Sequence, residues 1–196
     1  MATVISSQKM TLEEFNSLPE DDGVDRMLIR GVLVEEPMTK RNRWHALVEA
    51  TVARLLGNWV ADAEPPGGIV FSGEVGCELI AGGEASSVGI DVAIFSTERI
   101  GEQPEDARFI QGPPILAVEI LSPSDTQERV QQKTDLYLSA GTQLVWIIDP
   151  HFKTVTAFTK DSSPVMFSGE DDLSANQLPG LSVPVSSLFS QAKANH

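Results

Sequence analysis

The sequence is poor in the residues that build compact metal and redox sites, with one cysteine, Cys77, and three histidines. A lone cysteine forms no internal disulfide, and a structural zinc site of thiolates is excluded, so any metal is expected to be held mainly by oxygen. Long hydrophobic runs are missing as well; no stretch approaches the roughly 18 apolar residues that span a bilayer. The opening MATVISSQKM lacks the apolar core of a signal peptide, and the expected compartment is cytoplasmic. Cations are scarce: 14 Lys and Arg stand against 28 Asp and Glu, a net charge of -14. Non-specific nucleic-acid binding depends on neutralising phosphates, so a broad DNA-coating role is excluded. A metal-dependent nuclease is not, because a site that gathers carboxylates around divalent cations is itself acidic.

Several chemical signatures are also lacking. Gly82-Gly83 has no lysine and Ser/Thr at the spacing of a phosphate loop, and no GxGxxG run opens a helix. Ser122 and Ser124 have no histidine near them in a nucleophile elbow. There is no internal repeat, and no linker divides the chain. What remains is 196 residues with ordinary proportions, 41% hydrophobic and 21% charged, which predicts one domain over residues 1–196 with its core at about 10–190.

Thr11 followed three residues later by Glu14 is a capping box opening a short helix that Pro19 closes. Two short strands are expected around Arg30-Gly31. Trp44, Leu47, Val48, Thr51, Val52, Leu55, Leu56 and Trp59 recur at three and four, which predicts a helix of about four or five turns. Ile69–Phe71 and Val75–Ile80 read as two strands of a hairpin or meander. Gly89–Phe95 and Ile115–Leu121 read as central strands, and Glu98–Arg108 as a surface loop with a turn of helix. Ser124 with Gln127 predicts a capped helix running to about Ser139 and ended by Gly141. Leu144–Ile148 is a buried strand, Thr154–Phe158 a returning edge strand, and the remainder an acidic loop with a short docking tail near Phe189. The sheet is therefore mixed.

Two of these apolar strands each carry a carboxylate, Asp91 and Glu119, residue types rarely buried without a partner. Each projects from the face opposite its immediate neighbours, so adjacent strands would bring the two together. Converging carboxylates repel unless a proton or cation lies between them, and an all-oxygen site suits magnesium or manganese. A solvent-facing or arginine-paired carboxylate is the plainer reading of either residue alone. Lys133, fourteen residues after Glu119 and in the middle of the next helix, is placed to fold its ammonium back toward the pair. Val130, Thr134, Tyr137 and Leu138 form that helix's apolar face, with Tyr137 and Trp146 read as core and Cys77 as packing. Lys40, Arg41, Arg43 and His45 cluster where the long helix begins; cations there oppose the helix dipole, and a phosphate contact would favour them, against the alternative of a solvated turn.

Asp22-Gly23-Val24-Asp25 with Leu28–Gly31, Asp91-Val92-Ala93, Val118–Ser124, Lys133 with Tyr137 and Gly141, and Val145–Pro150 together resemble the Uma-type family of restriction endonucleases. The resemblance implies an α/β fold similar to the PD-(D/E)XK nuclease core, a restriction-endonuclease-like mixed β-sheet flanked by α-helices. It also implies magnesium- or manganese-dependent hydrolysis of DNA phosphodiesters and a homodimer. Carried over by residue, Asp91 and Glu119 are similar to the metal-holding acids, and Lys133 stands in for the superfamily's usual lysine, whose place holds Leu121. Ile90 replaces a proline. Met27 and Val32 fall where family members commonly carry glutamates, and Glu35 and Glu74 are alternative sources of that carboxylate. His45 matches a histidine often seen there.

The expectation is thus an endonuclease with Asp91 and Glu119 as metal ligands and Lys133 as the cation that orients or acidifies the attacking water. The alternative is a catalytically impaired nuclease-like fold kept as a binding or regulatory module, which Met27 and the acidity favour. A third reading is a carboxylate-rich enzyme acting on a small phosphorylated substrate.

Overall fold

The computed structural model describes residues 3–4, 9–19, 21–38, 42–63 and 68–190. In chain order it forms β1 (Thr3–Val4), α1 (Leu12–Asn16), β2 (Val24–Ile29), β3 (Val32–Pro37), α2 (Arg43–Asp62), β4 (Ile69–Ala81), β5 (Glu84–Phe95), α3 (Thr97–Gly101) and β6 (Ile110–Gln111). Then follow β7 (Leu116–Ile120), α4 (Gln127–Ala140), β8 (Leu144–Asp149), β9 (Thr154–Phe158), β10 (Val165–Ser168), β11 (Asp172–Ala175), β12 (Leu178–Pro184) and α5 (Val185–Phe189). Among the described residues no helix is long and apolar enough to cross a membrane.

The main sheet has the order β1-β3-β2-β5-β7-β8-β9-β10, with β4 on the remaining edge of β5 and β6 beyond it. It is mixed, as expected: β7 and β8 run parallel with α4 as their crossover, and β5 is antiparallel to β2, β4 and β7. Alternate residues of β7 and β8 serve opposite layers. Leu116, Val118, Ile120, Trp146 and Ile148 pack with Val48, Val52 and Leu56 of α2 and with Val185 and Leu188 of α5. Ala117, Val145 and Ile147 pack with Leu136 and Tyr137 of α4 on the other face. Both faces of these strands are covered, which is why their sequences read as continuous apolar runs rather than alternating ones.

One feature of the topology creates the site. The strand β4 pairs along β5 from Ala81↔Glu84 to Ile69↔Phe95. The opposite edge of β5 is divided, with β2 pairing at Ser87 and β7 pairing at Val92, Ala93 and Ile94. Residues 88–91 therefore lie in a fork between β2 and β7, where the ladder is open and backbone groups need other partners.

Several local expectations change. Ile69–Phe71 and Val75–Ile80 belong to one strand, β4, interrupted by a bulge: Ser72 pairs with Val92 and Val75 with Ile90, so Gly73 and Glu74 both oppose Asp91. Both residues have positive φ, 91° and 57°, and the bulge absorbs what reads in sequence as a break between strands. The cap of α4 is Thr126, accepting from Arg129 N–H, while Ser124 bonds the Ser122 hydroxyl instead. Gly141 ends α4 with φ 108°, as predicted. The strand β9 is not an edge, since β10 pairs with it, and the acidic tail folds into β11, β12 and α5. The strand β11 has only four residues and β12 carries Pro and Gly, so period-two alternation is faint in them.

Candidate active site

In the antiparallel register of β5 and β7, Val92 stands opposite Val118; one step further along the same register, Asp91 meets Glu119 at the open fork. The in-out alternation of β5 slips here, because Val88 and Ile90 pack into the same core as Ala93 and Phe95. Asp91 thereby sits where both layers can reach it. The cleft at the fork encloses about 500 Å³, within the usual range of ligand sites, and Met27, Glu74, Asp91, Arg108, Glu119 and Lys133 are among its walls.

Each carboxylate is held by named donors. Asp91 Oδ2 accepts the Ile120 N–H at 2.7 Å and lies 3.2 Å from His45 Nε2. Burial alone would push the Asp91 pKa up, but the hydrogen bond and charge of His45, the Ile120 N–H and the Lys133 ammonium outweigh it and hold it below the usual carboxylate value. Glu119 Oε2 accepts from Lys133 Nζ at 2.8 Å, and Oε1 accepts a short bond from the Tyr137 hydroxyl. Lys133 Nζ also donates to Gly89 O at 3.2 Å, satisfying a carbonyl within the fork. Burial raises the Glu119 pKa, the charge of Asp91 raises it further, and Lys133 and Tyr137 offset only part of that. The Tyr137 phenol is itself driven well above its ordinary value by burial and by Glu119.

The two carboxylates are thus pushed in opposite directions, Glu119 up chiefly by burial with the Asp91 charge adding to it, and Asp91 down by its His45, Ile120 and Lys133 partners. A divalent cation would relieve that repulsion, and two carboxylates with solvent completing the shell suit magnesium. The donor set therefore fits such an ion at Asp91 and Glu119, although among the described residues no group of three or more His, Cys, Asp and Glu side chains is gathered for one.

The structure brings together Asp91, Glu119 and Lys133. His45, expected among the phosphate-contacting cations, lies elsewhere: it is 1% exposed and turned inward to Asp91, because it occupies the buried face of α2 with Val48 and Val52. Arg43 is exposed and stacks 4.7 Å from the Trp44 ring, while Lys40 and Arg41 lie outside the described residues. Met27 is buried in the cleft wall at 6% exposure. Glu35 pairs with Arg26 at 2.8 Å, and Glu74 lines the cleft from the bulge. Two side chains that touch this cluster escape the sequence reading. Tyr137, the chain's only tyrosine, lies one helical turn after Lys133, so both reach the same carboxylate; that four-residue spacing is the signal that finds it. Glu49 is one turn after His45 on α2, with Oε2 3.7 Å from His45 Nδ1.

Comparison with known proteins agrees with this architecture. A solved structure described as a putative nuclease belonging to DUF820 from Anabaena variabilis ATCC 29413 is 26% identical, covering 92% of this chain and 97% of that one with a TM-score of 0.75. No curated protein matches the chain. The sequence profile of the Uma2 family, described as "Putative restriction endonuclease", matches residues 12–186. With that match spanning most of its length, the chain belongs to the Uma2 family.

Proposed function

We propose that the chain is a divalent-metal-dependent endonuclease hydrolysing DNA phosphodiester bonds. The observation that carries the reading is the meeting of Asp91, Glu119 and Lys133 in one cleft at a fork of the sheet. Membership of the Uma2 family and likeness to a protein described as a nuclease support the reaction class. Asp91 and Glu119 hold magnesium or manganese. A divalent cation held there would supply neutralisation of the charge developing on the phosphate and a lowered pKa for bound water.

The chain's own residues do the rest. Asp91, ionised below its usual range, supplies a fixed negative charge. Glu119, whose pKa burial raises, would give up a proton on holding a cation at a pH below its transition. Lys133, anchored between Glu119 and Gly89 O, presents an ammonium beside the scissile group to orient the attacking water. Tyr137 fixes the Glu119 rotamer. Arg43, exposed at the start of α2, contacts DNA phosphate together with Lys40 and Arg41. With a net charge of -14, affinity for DNA without metal is weak. A homodimer in the cytoplasm, with a two-fold pair of sites, suits duplex cutting.

A second reading, a nuclease-like module without catalysis, is favoured by Met27 in the cleft wall, where a ligating carboxylate would complete the site. The test is incubation of the purified chain with supercoiled plasmid and with single- and double-stranded oligonucleotides, with manganese, magnesium or EDTA. The endonuclease reading expects nicked or linear product that needs metal and disappears in Glu119→Gln. Intact substrate throughout, from a folded protein that also binds no metal, overturns it in favour of the module.

A further inference from the structure

Asp91 is gripped by more than the ladder it belongs to. Helix α2 begins with Asn42, whose side chain accepts the Trp44 and His45 N–H groups and fixes the first turn. That turn points the His45 ring into the protein, with Nε2 3.2 Å from Asp91 Oδ2. Behind the ring stands Glu49, whose Oε2 is 3.7 Å from His45 Nδ1 and whose Oε1 accepts the Gly73 N–H at 2.7 Å. Gly73 is the first residue of the bulge that opposes Asp91. The contacts therefore run from the bulge to Glu49 by a hydrogen bond, from Glu49 to His45 at ion-pair separation without a hydrogen bond, from His45 to Asp91, and from Asp91 back across the ladder to the bulge.

A helix packed on a sheet through apolar side chains alone needs none of this. Burying an imidazole at 1% exposure is unfavourable unless its nitrogens are used, and among the described residues Nδ1 finds no hydrogen-bond partner. Glu49 remains 18% exposed at its side chain, yet it is tied to a backbone N–H on a strained turn rather than left in solvent. Two donors to Asp91, the His45 ring and the Ile120 N–H, converge on the same oxygen, Oδ2. Two donors on one oxygen from different directions fix the rotation of the carboxylate about its last bond.

We infer that His45, backed by Glu49, is a positioning residue that sets the rotation of Asp91 toward the cleft. It touches no substrate and acts through Asp91, and the bulge at Gly73-Glu74 is the anchor that keeps Glu49 in place. The inference rests on the reading of Asp91 as a cation ligand. Partners that orient ligating groups in this way change metal affinity by about 10–100-fold when removed.

The test is manganese affinity by calorimetry in the wild type, His45→Leu, His45→Gln and Glu49→Ala, each with its thermal midpoint. Leucine fills the site without a donor, whereas the glutamine amide can place an N–H near the position of Nε2. The expected result is manganese binding weakened about 10–100-fold in His45→Leu, largely restored in His45→Gln, and weakened to a smaller extent in Glu49→Ala. A purely structural role would lower the thermal midpoint of the variants and leave affinity unchanged in those that fold. Affinity equal to wild type in His45→Leu, or equally poor in the Leu and Gln variants, overturns the inference while the metal site stands. If His45→Leu does not fold, Gln and Glu49→Ala decide: wild-type affinity in Glu49→Ala with weak binding in Gln overturns it. A folded wild type that binds no manganese overturns the metal site and this inference together.

Discussion

Tyr137→Phe removes one oxygen from the core and asks what that oxygen does for Glu119. Tyr137 is fully buried, and its hydroxyl donates to Glu119 Oε1 while Lys133 holds Oε2. The change leaves the ring and its packing with Leu136, Ala117 and Val145 intact, so the cavity term is small. A hydrogen bond to a charged group contributes about 1.5–3 kcal/mol, and one between neutral groups about 0.5–1.5 kcal/mol. In the fold the Glu119 pKa is raised, by burial first. Keeping Glu119 ionised in the fold therefore costs stability, a cost that is absent below the unfolded carboxyl value of about 4.3 and grows as pH rises through the folded one. Removing the phenol donor raises the folded value further, so the destabilisation by Tyr137→Phe grows with pH and levels off above the Glu119 transition. Above the Glu119 transition the loss is about 2 kcal/mol, which with a urea slope of about 2 kcal/mol/M moves the unfolding midpoint down by about 1 M. Near pH 4 the loss falls to about 1 kcal/mol or less. Urea unfolding of both proteins at several pH values measures this. A difference that stays flat across pH, or is within error throughout, refutes the account of Tyr137 as the donor that supports ionised Glu119.

Other expectations follow from neighbouring contacts. Lys133→Met leaves Glu119 without its cation, and with both side chains under one-sixth exposed the loss is about 3–5 kcal/mol in unfolding experiments. Adding Glu119→Gln to that variant recovers most of it, and additive losses would contradict the pairing. Burial holds the Cys77 thiol protonated up to about 12, with the nearby charge of Glu78 adding to the shift. The unfolded thiol ionises near ~8.5, so stability declines between that pH and about 12; a Cys77→Ala protein lacks this component, and thiol-reagent labelling of the native protein at pH 8 tracks unfolding. A Cβ on Gly76 would lie 2.1 Å from Phe109 Cδ1, so Gly76→Ala destabilises by about 1–3 kcal/mol, and Phe109→Ala in the same chain relieves the clash. No relief on thermal denaturation would refute it.

The two carboxylates were legible because each interrupts an apolar strand, and a buried charge in such a run demands a partner. The pleat then predicts their convergence once β5 and β7 are neighbours. The capping box of α1, the presence of α2 and the glycine stop of α4 were legible from local rules that tertiary context does not alter, although α2 runs to 20 residues, longer than its apolar spacing predicts. His45 was misread because a histidine beside lysine and arginine looks cationic and exposed; which face of α2 turns inward at its first residues depends on the sheet beneath. Tyr137 reads as core because it is core, and only the fold shows that its hydroxyl ends on Glu119. The bulge was hidden because Ser72–Glu74 carries the turn chemistry of a strand break, and the long ladder with β5 overrides it. Nothing local in the sequence of β5 announces that its edge is shared between β2 and β7, and that division is what opens the cleft.

The most direct test of the account is calorimetric titration of manganese into the folded wild type and into Asp91→Ala. Converging carboxylates at Asp91 and Glu119 predict stoichiometric binding by the wild type, with proton release from Glu119 below its transition, and its loss in Asp91→Ala. No binding by the folded wild type, or equal binding by the variant, contradicts the proposal that this fork in the sheet is a metal-dependent active site.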